Sequence, residues 1–249
     1  MLFLLLLTIQ LTMLQQARLA VEYAAFAAAR AGIVMNANNG ASNSANNQGR
    51  SDGPMCDAAV MAILPSFGRA DTLGALAATK LRFEAQDLVL RVLGLSQVRV
   101  AVLSPSRKTF AAQTHLNGKE IDFDDVRPLI APETLLSIQV RYYYQLRVPF
   151  ANKMIQAIWM ASKIGALRGW TGKDLTGPKL INDKGADALQ VTRALALAHG
   201  NVPDGTPEGV SLQALTLASS GPRPKYFLPV NAWYTMRMQS NPYLKWAAP

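Results

Sequence analysis

A chain of 249 residues with two histidines and one cysteine has little with which to hold a metal or activate a nucleophile. Zinc and its neighbours need several His, Cys or acidic ligands converging on one point, and His115 and His199 each stand without a patterned partner. Cys56 lies in the apolar run MCDAAVMAIL, cannot form an internal disulfide, and reads as a small buried hydrophobe. A thiol nucleophile would need a positioned base, which no local signature supplies. The stretch GALRGWTGKD resembles a phosphate loop at first sight. Counting back from Gly172-Lys173, however, the first glycine position is Leu167, and Asp174 stands where Ser or Thr is required.

The run EIDFDD places Glu120, Asp122, Asp124 and Asp125 close together, but it lacks the glycine and the terminal glutamate of a calcium loop and reads as a solvated turn. Of the tyrosines 142 to 144, alternation puts only Tyr143 on an outer face, between Arg141 and Arg147. A base-stacking platform wants more than one such ring. The formal charge of +9 is dispersed, with Arg91 and Arg99 in one region, Arg141 and Arg147 in another, and Lys173, Lys179 and Lys184 in a third. Dispersed basic residues are the signature of a solvated surface, not of a nucleic-acid footprint, though a weak affinity for anionic lipid or cell wall stays open. The expectation is a protein that is not an enzyme, has no cofactor, metal, nucleic-acid or small-molecule partner, and works by binding and packing.

The elements that would do the packing begin at the N-terminus. MLFLLLLTIQLTML carries no charge and only Thr8, Gln10 and Thr12 as polar interruptions. As a helix it spans about 21 Å at 1.5 Å per residue, short of the roughly 30 Å of a bilayer core. Either the helix continues through the alanines that follow or the gene product starts further upstream; both are expected. A secretory signal would carry a basic start, and no Lys or Arg precedes Arg18. The helix can be followed to about residue 35, and Ala17, Ala20, Ala24, Ala27 and Ala31 recur at three-and-four spacing along one stripe. Small stripes allow a second helix to come close, which is the usual basis of helix association in lipid. Arg18 and Glu22, one turn apart, form a candidate ion pair. The flanking charges Arg18, Glu22 and Arg30, taken alone, would put the remainder in the cytoplasm.

Residues 36–53 are a polar Asn/Ser/Gly loop, and 54–249 are expected to form one domain, since half the chain is hydrophobic and suffices for one core. MCDAAVMAILPSF predicts a helix ending before Pro65. A helix capped by Asp71 is expected to reach about Gly94, with Leu73, Leu76, Leu81, Leu88 and Val92 near one side. From Leu136 to Val148 apolar and polar residues alternate, predicting a long half-buried antiparallel strand. Val98, Val100 and Val102 suggest its partner, and Asn117-Gly118 a turn. Helices are expected over 150–168 and 183–199. Strands are expected at SLQALTLA and at FLPVNAWYTMRMQS, where Val230, Ala232, Tyr234, Met236 and Met238 share a face. The fold class is α+β: a long membrane-anchoring helix followed by antiparallel sheet packed with helices.

This order resembles a known family. An apolar helix leaving through Gln15-Gln16, then YAAFAAARAG, a polar loop, DAAVMAILP, an alternating strand closing in VPF, and a late MRMQSN are similar to the TadE-like proteins, the minor pseudopilins of tight-adherence (Tad) pilus systems. The likeness rests on the combination, covers both ends and the middle strand, and leaves residues 163–213 unplaced. It implies a pilin-like subunit held in the inner membrane by its N-terminal helix, with an extracytoplasmic (periplasmic) domain, in place of the charge-based orientation. It also implies companion minor pilins and an inner-membrane assembly platform as partners, with incorporation in a surface pilus as one outcome. The family's peptidase cuts before a hydrophobic stretch with glutamate at its fifth position. Here Glu22 follows the stretch and Ala17 stands at the would-be cut, so Glu22 is not carried over and the chain is expected to begin inside the family's hydrophobic segment. On this reading Ala17, Ala20, Ala24, Ala27 and Ala31 contact a companion helix, while Arg141, Tyr143 and Arg147 form an extracytoplasmic contact surface. Two other classes are an envelope scaffold that never enters a filament, and a cell-wall hydrolase using two carboxylates among Glu120, Asp122, Asp124, Asp125, Glu133 and Asp183.

Overall fold

The structure is a computed structural model and describes residues 1–34, 53–69, 71–92, 96–104, 134–167, 215, 218, 219, 224–239 and 241. The polar loop up to residue 52, the Asn117-Gly118 turn, the acidic run, both histidines, the GWTGKD stretch and the helix expected over 183–199 lie outside the described residues. The elements are α1 (Leu2–Val34), α2 (Pro54–Phe67), α3 (Leu73–Val92), β1 (Val98–Ser104), β2 (Leu135–Leu146), α4 (Ala151–Leu167) and β3 (Tyr226–Arg237). This is an α+β arrangement with a three-stranded sheet of order β1-β2-β3. Two compact units are formed: Met1–Leu14 with Tyr144–Pro229, and Gln15–Tyr143 with Val230–Pro249.

Alternation in sequence becomes register in the sheet. β1 runs antiparallel to β2, with Val98 opposite Tyr142, Val100 opposite Val140 and Val102 opposite Ile138, so every inward side chain of β1 meets an inward one of β2. A bulge at Leu103 shifts the register by one residue before Ser104 meets Ser137. On the other side, Met238 N–H donates to the Thr134 carbonyl, Thr235 Oγ1 to Ser137 Oγ, and Arg141 Nε to Asn231 Oδ1. Residue numbers on β3 rise as those on β2 fall, so this pair is antiparallel too. Pro229 is tolerated in β3 because β3 is an edge strand, where a missing N–H leaves no ladder bond unmade.

β2 is not the half-buried strand its alternation suggested. From Ile138 to Tyr144 every residue is buried, on both faces of the strand. A strand flanked on both edges and covered on both faces behaves as the centre of the core.

α1 is one continuous helix of 33 residues, about 50 Å long at 1.5 Å per residue, and is long and apolar enough to cross a membrane. It thus extends beyond the apolar run, as the alanines predicted. Its second half is core: Val21, Ala24, Ala25, Ala28, Ala29 and Ile33 are buried. Gly32 is a point of close approach. A Cβ placed there would lie 2.7 Å from Leu136 Cδ2 and 3.0 Å from Met55 Cε. Phe26 closes the same region edge-to-face on Tyr234, with ring centroids 5.3 Å apart.

α2 packs on β1 and α3. It does not stop before Pro65 but runs through it to Phe67. Pro65 lies in the last turn, and Met61, whose carbonyl loses its usual donor, is an exposed residue. The cap of α3 is Thr72, not Asp71: Thr72 Oγ1 accepts from Ala75 N–H at 3.2 Å, whereas Asp71 takes Arg69 at 3.1 Å. The side of α3 carrying Leu73, Leu81, Leu88 and Val92 faces outward, while Thr79, Phe83, Gln86, Asp87 and Leu90 are buried. Asp87 is accommodated because its Oδ1 accepts from Gln97 N–H at 2.6 Å and its Oδ2 from Arg91 at 2.7 Å. Within SLQALTLA the described residues Leu215 and Ala218 are helical, not extended.

Gly32→Val tests the close approach. Overpacking against Leu136 and Met55 should cost about 1–3 kcal/mol, read as a lower denaturation midpoint in detergent; an unchanged midpoint would show that Leu136 and Met55 yield without loss.

Candidate functional site

Helix faces and buried polar anchors, not a constellation of nucleophiles, are what the described residues bring together. No group of three or more His, Cys, Asp or Glu side chains gathers among them. Cys56 is free and buried. It borders an open cleft of about 550 Å³ between α2 and α3, also lined by Asp57, Lys80, Glu84, Asp87, Arg91 and Ser96. Most of those charges are already committed: Lys80 to Glu84 at 3.7 Å and Arg91 to Asp87 at 2.7 Å. The carboxylates 120 to 125, Glu133 and Asp183 lie outside the described residues.

The alanine stripe divides. Ala17 and Ala24 are buried, Ala24 with no exposed surface at all, and Ala20, Ala27 and Ala31 are part-exposed. The buried face is rotated from the expected stripe onto Ala25, Ala28, Ala29 and Gly32, so its packing partner is the chain's own interior. A second face was missed. Leu2, Leu5, Ile9, Leu19 and Tyr23 are exposed and follow three-and-four spacing through Thr12 and Gln16. That spacing is present in the sequence but hidden, because the first turns carry leucine on every side. Arg18 and Glu22 form their ion pair at 3.3 Å on this exposed half of the helix. Thr8 and Thr12 donate to the carbonyls of Leu5 and Thr8, so both hydroxyls are satisfied without water.

The sheet surface expected from Arg141, Tyr143 and Arg147 is corrected by burial. Arg141 is 7 % exposed and Tyr143 3 %; only Arg147 is open. Arg141 stands opposite Arg99 in the ladder, a like-charge arrangement that is unfavourable by itself. Its guanidinium turns to Asn231 at 3.2 Å. Two-sided coverage of a central strand is what the alternating pattern, polar on one face, could not reveal.

The lone amide of the apolar run has a specific task. Gln10 is fully buried, and its Oε1 accepts from Arg147 N–H at 3.2 Å and Val148 N–H at 2.8 Å. These two donors precede the turn into α4, where Asn152 N–H returns to the Val148 carbonyl. Phe150 in that turn has φ 64°, a left-handed conformation unusual for an aromatic residue, and its ring is exposed. Gln10 fixes the strand end on one side of this strained residue. Burial pushes the neighbouring Tyr144 phenol above its ordinary value, opposed by the Arg147 charge and a hydrogen bond with Gln10. Among the described residues, the buried amide atoms of Gln97 and Gln156 have no hydrogen-bond partner.

No protein-family model, no curated protein and no solved structure matches the chain.

Gln10→Leu should strand two backbone donors and destabilise by about 1–3 kcal/mol; equal stability in chemical denaturation would show that those N–H groups find other acceptors. For Tyr144 the linkage sign is fixed by the direction of its shift. Below a pH of about 10, the ordinary phenol value, tyrosine is protonated in both folded and unfolded chains. Above it the unfolded chain ionises first, so stability falls as pH rises towards the raised folded value. Tyr144→Phe should flatten that alkaline limb; an identical limb in a pH series of melting temperatures would remove the assignment.

Proposed function

We propose that the chain is a non-enzymatic minor pilin-like subunit of a Tad-type pilus or secretion system. It is held in the inner membrane by its N-terminal helix, carries its α+β domain outside the cytoplasm, and assembles by helix packing. The observation that supports this reading is the division of labour along one continuous helix. Leu2, Leu5 and Ile9 offer an apolar outer face at one end, and Ala24, Ala25, Ala28 and Ala29 are core at the other. A filament subunit needs both kinds of face, one open to a bilayer or bundle and one committed to the subunit's own interior. The order of motifs, which resembles that of TadE-like proteins, is what suggests this family.

Companion subunits then meet the outer face of α1, not its alanine stripe. The contact residues are Leu5, Ile9, Leu19 and Tyr23, with Ala20, Ala27 and Ala31 contributing their exposed edges. Glu22 and Arg18 neutralise one another beside that face, which lowers the cost of bringing a second helix against it.

A photoreactive residue placed at Leu19 in the native membrane protein tests the assignment, with Ala24 as an internal control. Leu19 is expected to capture a second pilin-like subunit and Ala24 to crosslink only within its own chain. Capture of lipid alone at Leu19 would leave a membrane-anchored envelope protein that enters no assembly.

A further inference from the structure

α3 is folded inside out. Its buried side carries Thr79, Gln86 and Asp87 beside Phe83 and Leu90, whereas Leu81, Leu88 and Val92 are 67 %, 65 % and 82 % exposed. Gly74, Ala78, Leu81, Ala85, Leu88 and Val92 are all exposed and follow one another at spacings of four, three, four, three and four. That is the seam of a coiled coil, with small residues in the first position of each pair and larger ones in the second up to Val92. Val89 widens the seam on one side. Charges border it: Glu84 and Arg91 on one flank, Arg82 on the other. An apolar face of this regularity marks an interaction surface.

We infer that the occupant is α3 of a second copy of this chain, packed antiparallel about a two-fold axis between Gln86 and Asp87. In that register Ala85 lies against Leu88 of the second copy, Leu81 against Val92, and each contact occurs twice, as a two-fold requires. Small meets large at the centre, so the helices approach closely without leaving a void. Glu84, whose contact with Lys80 is long at 3.7 Å, then flanks the seam beside Arg91 of the other copy on both sides of the axis, while Arg91 Nε stays on Asp87 and the stem of Arg82 covers Val89.

The alternatives are poorer on the same observations. A parallel pair sets Ala78 against Ala78 and Ala85 against Ala85, leaving gaps, and brings no opposite charges together. An antiparallel pair shifted by one heptad sets Glu84 against Glu84 and Arg82 against Arg82, like charges that oppose association. A lipid surface would be attracted by unpaired basic residues and aromatic rings on the face. Here Lys80 and Arg91 stand beside the carboxylates of Glu84 and Asp87, so that flank carries little net charge, Arg82 adds a single cation on the other, and the face holds no aromatic side chain. The inference rests on α3 alone and stands whether or not the chain is a pilus subunit.

Charge reversal in the full-length detergent-solubilised protein is the test, read by sedimentation equilibrium. Wild type is expected to dimerise, and Glu84→Arg and Arg91→Glu are each expected to weaken the dimer by about tenfold or more, since each reversal sets two like-charge pairs across the axis. With all variants made in an Asp87→Asn background, so that residue 91 no longer faces a buried carboxylate, the double variant Glu84→Arg/Arg91→Glu restores the dimer to within a few-fold of its parent, a rescue that a mere loss of folding does not give. Leu88→Glu abolishes association while the far-ultraviolet dichroism stays unchanged. A wild-type monomer, dimers indifferent to either reversal, singles without rescue, or binding of the α3 face to vesicles or another protein but not to itself would each overturn the inference.

Discussion

The interior of the second unit depends on how closely α1 can approach β2. Leu136 occupies the space where a side chain at position 32 would begin, and Met55 of α2 fills the rest. Glycine there, beside the buried Ala25, Ala28 and Ala29, leaves room for the Leu136 and Met55 side chains. Dispersion contacts between such surfaces are individually weak and numerous, and they fall off within a fraction of an ångström. Leu136 and Met55 can therefore keep their places against α1 only while position 32 remains small.

The same economy explains why polar groups are buried elsewhere. Asp87 is tolerated in the interior because Gln97 N–H, Ser96 and Arg91 surround its carboxylate. Arg141 is tolerated because Asn231 reaches it across the β2–β3 pair. Gln10 supplies the acceptor that two backbone donors at the end of β2 need. Each is a local settlement of a hydrogen-bonding requirement that an apolar side chain would leave open. The unpaired amides of Gln97 and Gln156 are the exceptions among the described residues.

Much of the element order was legible in the sequence. The length of α1, the pairing of the valines of β1 with β2, the position of α4 and the late strand β3 all follow from periodicity, which backbone geometry enforces locally. Sidedness was less legible. Alternation assigned Arg141 and Tyr143 to solvent, but what covers the second face of a central strand comes from elsewhere in the chain. Heptad-like spacing placed Leu81, Leu88 and Val92 on one side of α3 correctly, and no local rule says whether that side points in or out. The alanines of α1 were recognisable as packing residues, but which of them are spent internally depends on Leu136 and Met55. Gln10 offered a signal, a lone amide among leucines, with no indication of the donors it would meet.

The contacts of α1 have a further consequence for how the protein reaches this state. Phe26 meets Tyr234, and Gln10 meets Val148, so α1 is completed by residues that lie far later in the chain. Such long-range closure is entropically late and slow. During the wait the inner face of α1 shows mainly methyl groups, which give unrelated chains little apolar surface to seize. Smallness, required by the finished core for close approach, also keeps the unfinished helix unattractive until its strand arrives.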